Sequence, residues 1–136
     1  MSVPPLVRHF YERIWEQGNL DAVSQLVAKD FVFRGSLGSE VRGRDAFLEY
    51  VRGIRAAVGD YRAEILACVT EELFAFAKMR FGGRHVGQLR GCAPTGKPVA
   101  WLAAALFRFE EGVIVELWVL GDLEGLDALL EANAKP

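Results

Sequence analysis

PVAWLAAALFRFEEGVIVELWVLGD, residues 98–122, decides how the chain around it folds. Two apolar runs, Pro98 to Phe109 and Val113 to Gly121, flank the turn signal Glu111-Gly112. Their Val, Leu, Phe and Trp content favours long strands, so the stretch reads as a hairpin. Period-two alternation sets Glu116, Trp118, Leu120 and Asp122 on one face of the last strand, and Val115, Leu117 and Val119 on the other. Both faces are substantially apolar. Helices within one domain can cover only one of them. The second face therefore points to a partner, most simply a second copy of the chain, and a homodimer through the outer sheet face is expected.

Upstream of the hairpin the pattern stays extended as far back as Gly59. Tyr61 to Thr70 reads as a strand, Glu71-Glu72 as a tight turn, and Leu73 to Arg90 as a long strand with a break near Gly82-Gly83. Before Gly59 the period becomes helical. Residues 4 to 17 begin with Pro4-Pro5, which a first helical turn tolerates. Leu6, Val7, Phe10 and Ile14, with Tyr11 and Trp15 beside them, then recur at helical spacing. Asn19 is a good N-cap for a second helix, Leu20 to Ala28. Phe31 to Phe33 is a short strand, and Asp45 to Ala57 a third helix with Phe47, Leu48, Val51 and Ile54 inward. Leu123 to Ala132 forms a terminal helix. Helices first and a strand meander after them is an α+β layout, here one domain over residues 1–136 whose sheet must curl around the helices.

The chain has 136 residues, 51% of them hydrophobic and 25% charged, with a formal net charge of -2. That suits one globular core. The basic residues are scattered, which argues against a nucleic-acid partner. No apolar run reaches the length of a membrane span. The N-terminus shows no secretory signal pattern. Cys68 and Cys92 give no disulfide framework, so a reducing cytoplasm is the expected location. With His9 and His85 as the two histidines, no cluster has metal-ligand spacing, and no metal is expected.

Gly91-Cys-Ala-Pro-Thr-Gly-Lys-Pro98 comes one residue short of a phosphate-binding loop. Such a loop needs Ser or Thr behind its Lys for magnesium, and here Pro98 stands there. A hairpin turn fits better, with Pro94 and Thr95 at its centre and Gly96 supplying a positive φ.

Taken in order, several motifs carry a resemblance. They are His85-Val-Gly87, then Pro94-Thr-Gly-Lys97, then Phe107-Arg108 through Gly112-Val-Ile114-Val-Glu116-Leu-Trp118, then Asp122. Phe10-Tyr-Glu12, Gly18-Asn-Leu-Asp-Ala22 and Asp30-Phe-Val32 agree upstream. The chain resembles the SnoaL-like polyketide cyclases, also called predicted ester cyclases, of the nuclear transport factor 2-like superfamily. The resemblance implies a conical α+β fold. Three N-terminal helices pack on a strongly curved antiparallel sheet and enclose one apolar pocket, with a short C-terminal helix. It also implies cofactor-free chemistry. Asp122 matches the Asp that removes a proton from carbon in an intramolecular aldol closure, and His85 matches a pocket-facing His. Ketosteroid isomerase, of the same superfamily, combines an Asp base with a neutral hydrogen-bonding acid. The chain departs from the family at Val113, at Ala103-Ala-Ala105 and at Phe33-Arg34, which implies a more apolar pocket.

Each candidate residue has a second reading. Asp122 also suits the N-cap of the terminal helix. His85 shares a strand face with Met79 and Phe81, where a histidine usually belongs to the core; as a functional group it would donate a proton to an enolate oxygen. Glu116 suits a pair with Arg108 or Arg80. Trp118, Trp101, Trp15, Tyr11 and Phe33 suit the core or the aromatic wall of a pocket for a flat ring. Arg34 and Arg90 suit solvent, or a substrate carboxylate or ester carbonyl. Cys92 has no His beside it to make it a nucleophile. The function implied is a cofactor-independent cyclase or isomerase acting on a hydrophobic, carbonyl-bearing small molecule. The alternative is a non-catalytic small-molecule-binding or assembly module of the same fold.

Overall fold

A computed structural model describes residues 2–136. The chain starts with α1 (Pro5–His9), which runs into a π-helical segment (Phe10–Glu16). Where the sequence predicts an ordinary helix, the Gln17 N–H bonds the Glu12 carbonyl at 2.9 Å, five residues back. The wider turn has a reason in the sequence. Phe10-Tyr11 and Ile14-Trp15 are adjacent pairs, and all four side chains are buried. A wider turn gathers adjacent pairs onto a narrower arc than an α-helix does.

The second helix is shorter than its pattern suggests. A 3₁₀ turn (Leu20–Ala22) leads into α2 (Val23–Leu26), and Val27 is already extended. Strand β1 (Val27–Arg34) therefore begins before Phe31, and a short β2 (Glu40–Arg42) follows it. Helix α3 (Arg44–Ala57) precedes β3 (Val58–Glu71), β4 (Phe74–His85), β5 (Pro98–Glu110) and β6 (Val113–Gly121). Helix α4 (Leu123–Asn133) closes the chain.

The six strands form one sheet in the order β2-β1-β6-β5-β4-β3. It is mixed rather than antiparallel, because β1 pairs with β6 in parallel. A bare meander would leave β6 as an open edge, and β1, arriving from the helical layer, covers it. Register shifts at Gly59/Arg62, Ile65/Ala67 and Arg108/Phe109 interrupt the antiparallel ladders. Such bulges bend a strand and increase its twist, which wraps the sheet around the helices.

The inner face carries Ala77, Met79 and Phe81 from β4, Ala103, Ala105 and Phe107 from β5, and Leu117 and Val119 from β6, all buried. Phe47 of α3 sits 4.8 Å from Phe33 and 5.7 Å from Phe10, centroid to centroid. Pairs of this kind add about 0.5–1.5 kcal/mol each beyond their buried area. The outer face is apolar too. One cross-strand row runs Arg34, Trp118, Leu106, Phe76, Val69, and its four apolar members are exposed.

The loop between β4 and β5 turns elsewhere than its sequence suggests. Leu89 and Cys92 exchange backbone hydrogen bonds of 3.0 and 2.8 Å. Arg90 and Gly91 between them have φ of 48° and 79°. Positive φ at both central positions makes a type I′ turn, whose twist suits a two-residue hairpin. Gly96 does have its positive φ (73°), but it rejoins the ladder, donating to the His85 carbonyl at 2.8 Å. Lys97 does not await a phosphate. Its Nζ donates to the Asn133 carbonyl at 2.8 Å, placing a cation at the C-terminal end of α4.

Candidate active site

Between the inner face of the sheet and the helices lies an aromatic cavity. The π-helical segment supplies Phe10, Tyr11 and Trp15, and β1 supplies Phe33. Tyr50 and Ile54, one helical turn apart on α3, close one side. Tyr61, Phe81 and Trp101 come from β3, β4 and β5, and Leu117 and Val119 from β6. Tyr61 stacks on Phe81 at 6.1 Å and lies 5.2 Å from Trp15. The gaps between these side chains, including the mouth, sum to about 330 Å³, but the freely open core is about 20 Å³. That is room for about one water. The interior is nearly filled by its own rings.

Ser36, in the turn between β1 and β2, is the remaining lining residue. Its hydroxyl accepts from Trp101 Nε1 at 3.0 Å in a buried bond. Of the lining residues, Tyr50 and Ile54 are half-buried and Ser36 is 9% exposed, so the mouth lies between α3 and this turn. Gly121 packs its Cα against the Ser36 carbonyl so closely that a Cβ there would collide with it. The end of β6 and the Ser36 turn thus form a common rim.

Three phenols line the cavity, and burial raises the pKa of each. Tyr50 is pushed up to about 12 by burial, with the Leu37 backbone and the Arg34 charge pulling the other way. Tyr61 is raised further by burial and by the hydroxyls of Tyr11 and Tyr50 nearby. Tyr11 is raised above the ordinary range chiefly by burial. All three are neutral hydrogen-bonding groups at physiological pH. Among the described residues, no side chain lining the cavity is charged, and no group of three or more His, Cys, Asp or Glu could hold a metal. No helix among them is long and apolar enough to cross a membrane.

The residues singled out in the sequence are dispersed by the fold. Trp101, Trp15, Tyr11 and Phe33 do line the cavity. Trp118 does not: it is 41% exposed on the outer face, with the Arg34 guanidinium over its ring at 5.6 Å. Parity along β6 was readable, but the expectation of Trp118 in the core or pocket wall is corrected here: both faces are apolar, and the face of Leu117 and Val119 is the one that turns inward. Arg34 also donates from Nη1 to the Val119 carbonyl, so it braces β1 against β6 outside the cavity. Glu116 pairs with Arg108 at 3.5 Å. Arg90 grips Asp127 with two hydrogen bonds of 2.6 and 2.9 Å, which tie the β4–β5 loop to α4.

Asp122 and His85 are not brought together in the cavity. Asp122 is exposed, and its Oδ1 accepts from the Gly125 N–H at 2.9 Å, capping α4. It follows Gly121, which packs against Ser36, by one residue in the chain, and it is not among the residues that line the cavity. His85 is fully buried with Met79 and Phe81, outside the set that lines the cavity. Its Nδ1 lies 3.4 Å from Thr95 Oγ1, and its Nε2 has no partner among the described residues. Ser36, Tyr50 and Tyr61 were not singled out in the sequence. Tyr50 was findable, since it precedes the inward-facing Ile54 by four residues. Ser36 carried no signal, because a turn residue acquires its partners only in three dimensions.

Comparison with known proteins agrees with this architecture. The family model for SnoaL-like polyketide cyclases matches residues 5–129, and the chain belongs to that family. Among curated proteins, none matches the sequence. Among solved structures, a proposed polyketide cyclase from Acidithiobacillus ferrooxidans superposes with a TM-score of 0.85 at 21% identity, covering 98% of this chain and 100% of that one. A proposed SnoaL-like polyketide cyclase from Jannaschia sp. CCS1 gives 0.84 at 16% identity, covering 100% and 99%. A protein of ketosteroid isomerase-like fold from Catenulispora acidiphila, solved with trimethylamine, gives 0.80 at 19% identity, covering 99% and 100%. At these identities the structures share the fold with this chain.

Proposed function

We propose that the protein binds a small, flat, apolar molecule bearing a carbonyl group in the aromatic cavity, and that it catalyses enolisation-driven ring closure or isomerisation at the cavity mouth. The observation that carries this reading is the uncharged aromatic cavity whose rim, Ser36 and Gly121, adjoins Asp122. Ring faces suit stacking walls, and the polar tips available fix orientation. Admission of a ligand requires the rings at the mouth to swing outward, since the open core is water-sized. The Asp122 carboxylate, released from Gly125, takes a proton from the carbon next to the carbonyl. The electron pair moves to the carbonyl oxygen, and the enolate carbon then bonds to a second carbonyl carbon of the same molecule. The resulting alkoxide recovers the proton from Asp122. No cofactor enters these steps, and His85 takes no part in them.

The second reading, a binding module without catalysis, is favoured by the capping bond that already occupies Asp122. One assay separates the two. Acetophenone in heavy water exchanges its methyl protons through its enolate, and the exchange is read by proton NMR. The enzyme reading expects the protein to accelerate exchange, and Asp122→Asn to abolish the acceleration while leaving acetophenone binding intact. Binding without acceleration makes the protein a module. No binding at all sinks the cavity as a ligand site.

The outer sheet face supports a second proposal, that its occupant is another copy of the chain. The exposed row Trp118, Leu106, Phe76, Val69 is flanked by Phe74, Leu102 and Leu120, also exposed. Ion pairs of both signs border it, Arg108–Glu116 on one side and Arg80–Glu64 on the other. Mixed charge around an apolar centre is self-complementary under two-fold symmetry. A stable interface needs about 800 Å² per partner. Sedimentation is expected to show a dimer that Leu106→Lys converts to monomer. A wild-type monomer at tens of micromolar contradicts it.

A further inference from the structure

The cavity is closed where a ligand has to enter, and one element of its rim is lightly held. The freely open core has room for about one water, so no ring enters unless part of the rim gives way. Three elements make that rim: the end of β6, helix α3 and the turn between β1 and β2. Strand β6 is interior to the sheet and paired on both sides. Helix α3 is anchored by buried Phe47 and Val51, and its Arg55 donates to the Trp15 and Glu16 carbonyls. The turn, residues 35–39, is the tip of a hairpin whose second strand, β2, has three residues and lies at the edge of the sheet. Few paired neighbours make a segment that opens locally, ahead of the core.

The tip is also closed on itself. The Gly35 N–H donates to the Ser39 carbonyl at 2.9 Å, and the Gly38 N–H to the Gly35 carbonyl at 3.0 Å, with Gly38 at a φ of 102°. These bonds survive if the turn lifts as a unit. Two hydrogen bonds tie it down across the mouth: Ser36 Oγ accepts from Trp101 Nε1, and the Leu37 backbone bonds the Tyr50 hydroxyl of α3. Gly35 makes room for the second, since a Cβ there would collide with that hydroxyl. We propose that the turn of residues 35–39 is a lid over the cavity, latched to α3 by the Tyr50 hydroxyl, and that a ligand enters and leaves as it lifts. The inference rests on the cavity being the ligand site. Tyr50 then sets how fast the site exchanges its occupant. Lifting also strips Trp101 Nε1 of its acceptor and exposes it to water, so the indole proton reports the opening with no ligand present.

Hydrogen–deuterium exchange of the Trp101 indole proton is followed by NMR in the wild type and in Tyr50→Phe, beside the amide of Ala105, which is fully buried in the middle of β5. A local opening exposes little surface, so the indole exchange should stay flat in low urea while the Ala105 amide accelerates steeply. Tyr50→Phe keeps the ring and removes one modest hydrogen bond, which should raise the open population, and with it the indole exchange, about tenfold. Association of acetophenone, read by stopped-flow quenching of tryptophan fluorescence, should rise by the same factor, because the entry rate scales with the open fraction. An indole proton that shares the urea dependence of Ala105 would show that no lid opens. Unchanged indole exchange in Tyr50→Phe would show that Tyr50 is not the latch. Faster exchange with unchanged association would give the ligand another route, and the cavity reading would stand without this one. If acetophenone does not bind the wild type at all, the cavity reading falls and takes the entry role with it.

Discussion

Replacing Ser36 by Ala should destabilise the protein more than the loss of one hydroxyl would suggest. The Ser36 hydroxyl accepts a 3.0 Å bond from Trp101 Nε1, and both residues are buried, at 9% and 4% exposure. Ser36→Ala leaves the indole N–H facing an apolar wall. An orphaned buried donor costs about 1–3 kcal/mol. Trp101→Phe removes the donor but also shrinks the ring, at a cost of the same order through lost packing. The double variant Ser36→Ala/Trp101→Phe has neither donor nor acceptor to strand. Its loss should fall short of the sum of the singles by about 1 kcal/mol or more, the coupling that a double-mutant cycle isolates. Urea unfolding of the four proteins, with a common slope, measures it. Additive losses would show that the pair is not bonded in solution.

Other outcomes follow from the same geometry. Asp122→Ala should lower stability by about 1 kcal/mol through the lost cap, while Asp122→Asn changes it by only a few tenths; circular dichroism melts distinguish them, and equal losses would remove the capping role. His85→Leu should cost less than about 1 kcal/mol, since it replaces a buried ring with an unpaired Nε2 by an apolar group. A larger loss would reveal a partner for that nitrogen. Tyr11, Tyr50 and Tyr61 have raised pKa values when folded, so above pH ~10 the unfolded chain releases protons that the folded chain retains. Stability is therefore fully present below pH ~10 and is lost as pH rises beyond it, by about 1.4 kcal/mol per pH unit for each such tyrosine. Denaturation between pH 9 and 11.5 checks this, and a flat profile would mean that the phenols reach water.

What the sequence made legible follows from where its signals are local. Strand β6 runs from Val113 to Gly121 as its alternation indicates, because the Glu111-Gly112 turn pins its start and Asp122 caps the helix after it. The same alternation could not tell inside from outside, since Leu117 and Val119 are as apolar as Trp118 and Leu120. Trp118 consequently belongs to the outer row and not to the cavity. Helical periodicity located Phe10, Tyr11, Ile14 and Trp15, but the wider π turn lies too close to an α-helix to be distinguished in one segment. The parallel pairing of β1 with β6 joins residues far apart along the chain, as do the Ser36–Trp101 bond and the Arg90–Asp127 clamp. None of these leaves a local pattern. Asp122 had two readings, and geometry shows the cap directly, with the carboxylate exposed and bonded to the Gly125 N–H.

The aromatic cavity as the ligand site is best tested by a crystal structure of the protein grown with saturating acetophenone. The account predicts a ring lodged among Tyr61, Phe81 and Trp101, with its carbonyl directed toward the mouth between α3 and the Ser36 turn. Density confined to the outer sheet face, or an interior still closed around a single water while calorimetry shows the compound bound, would contradict it.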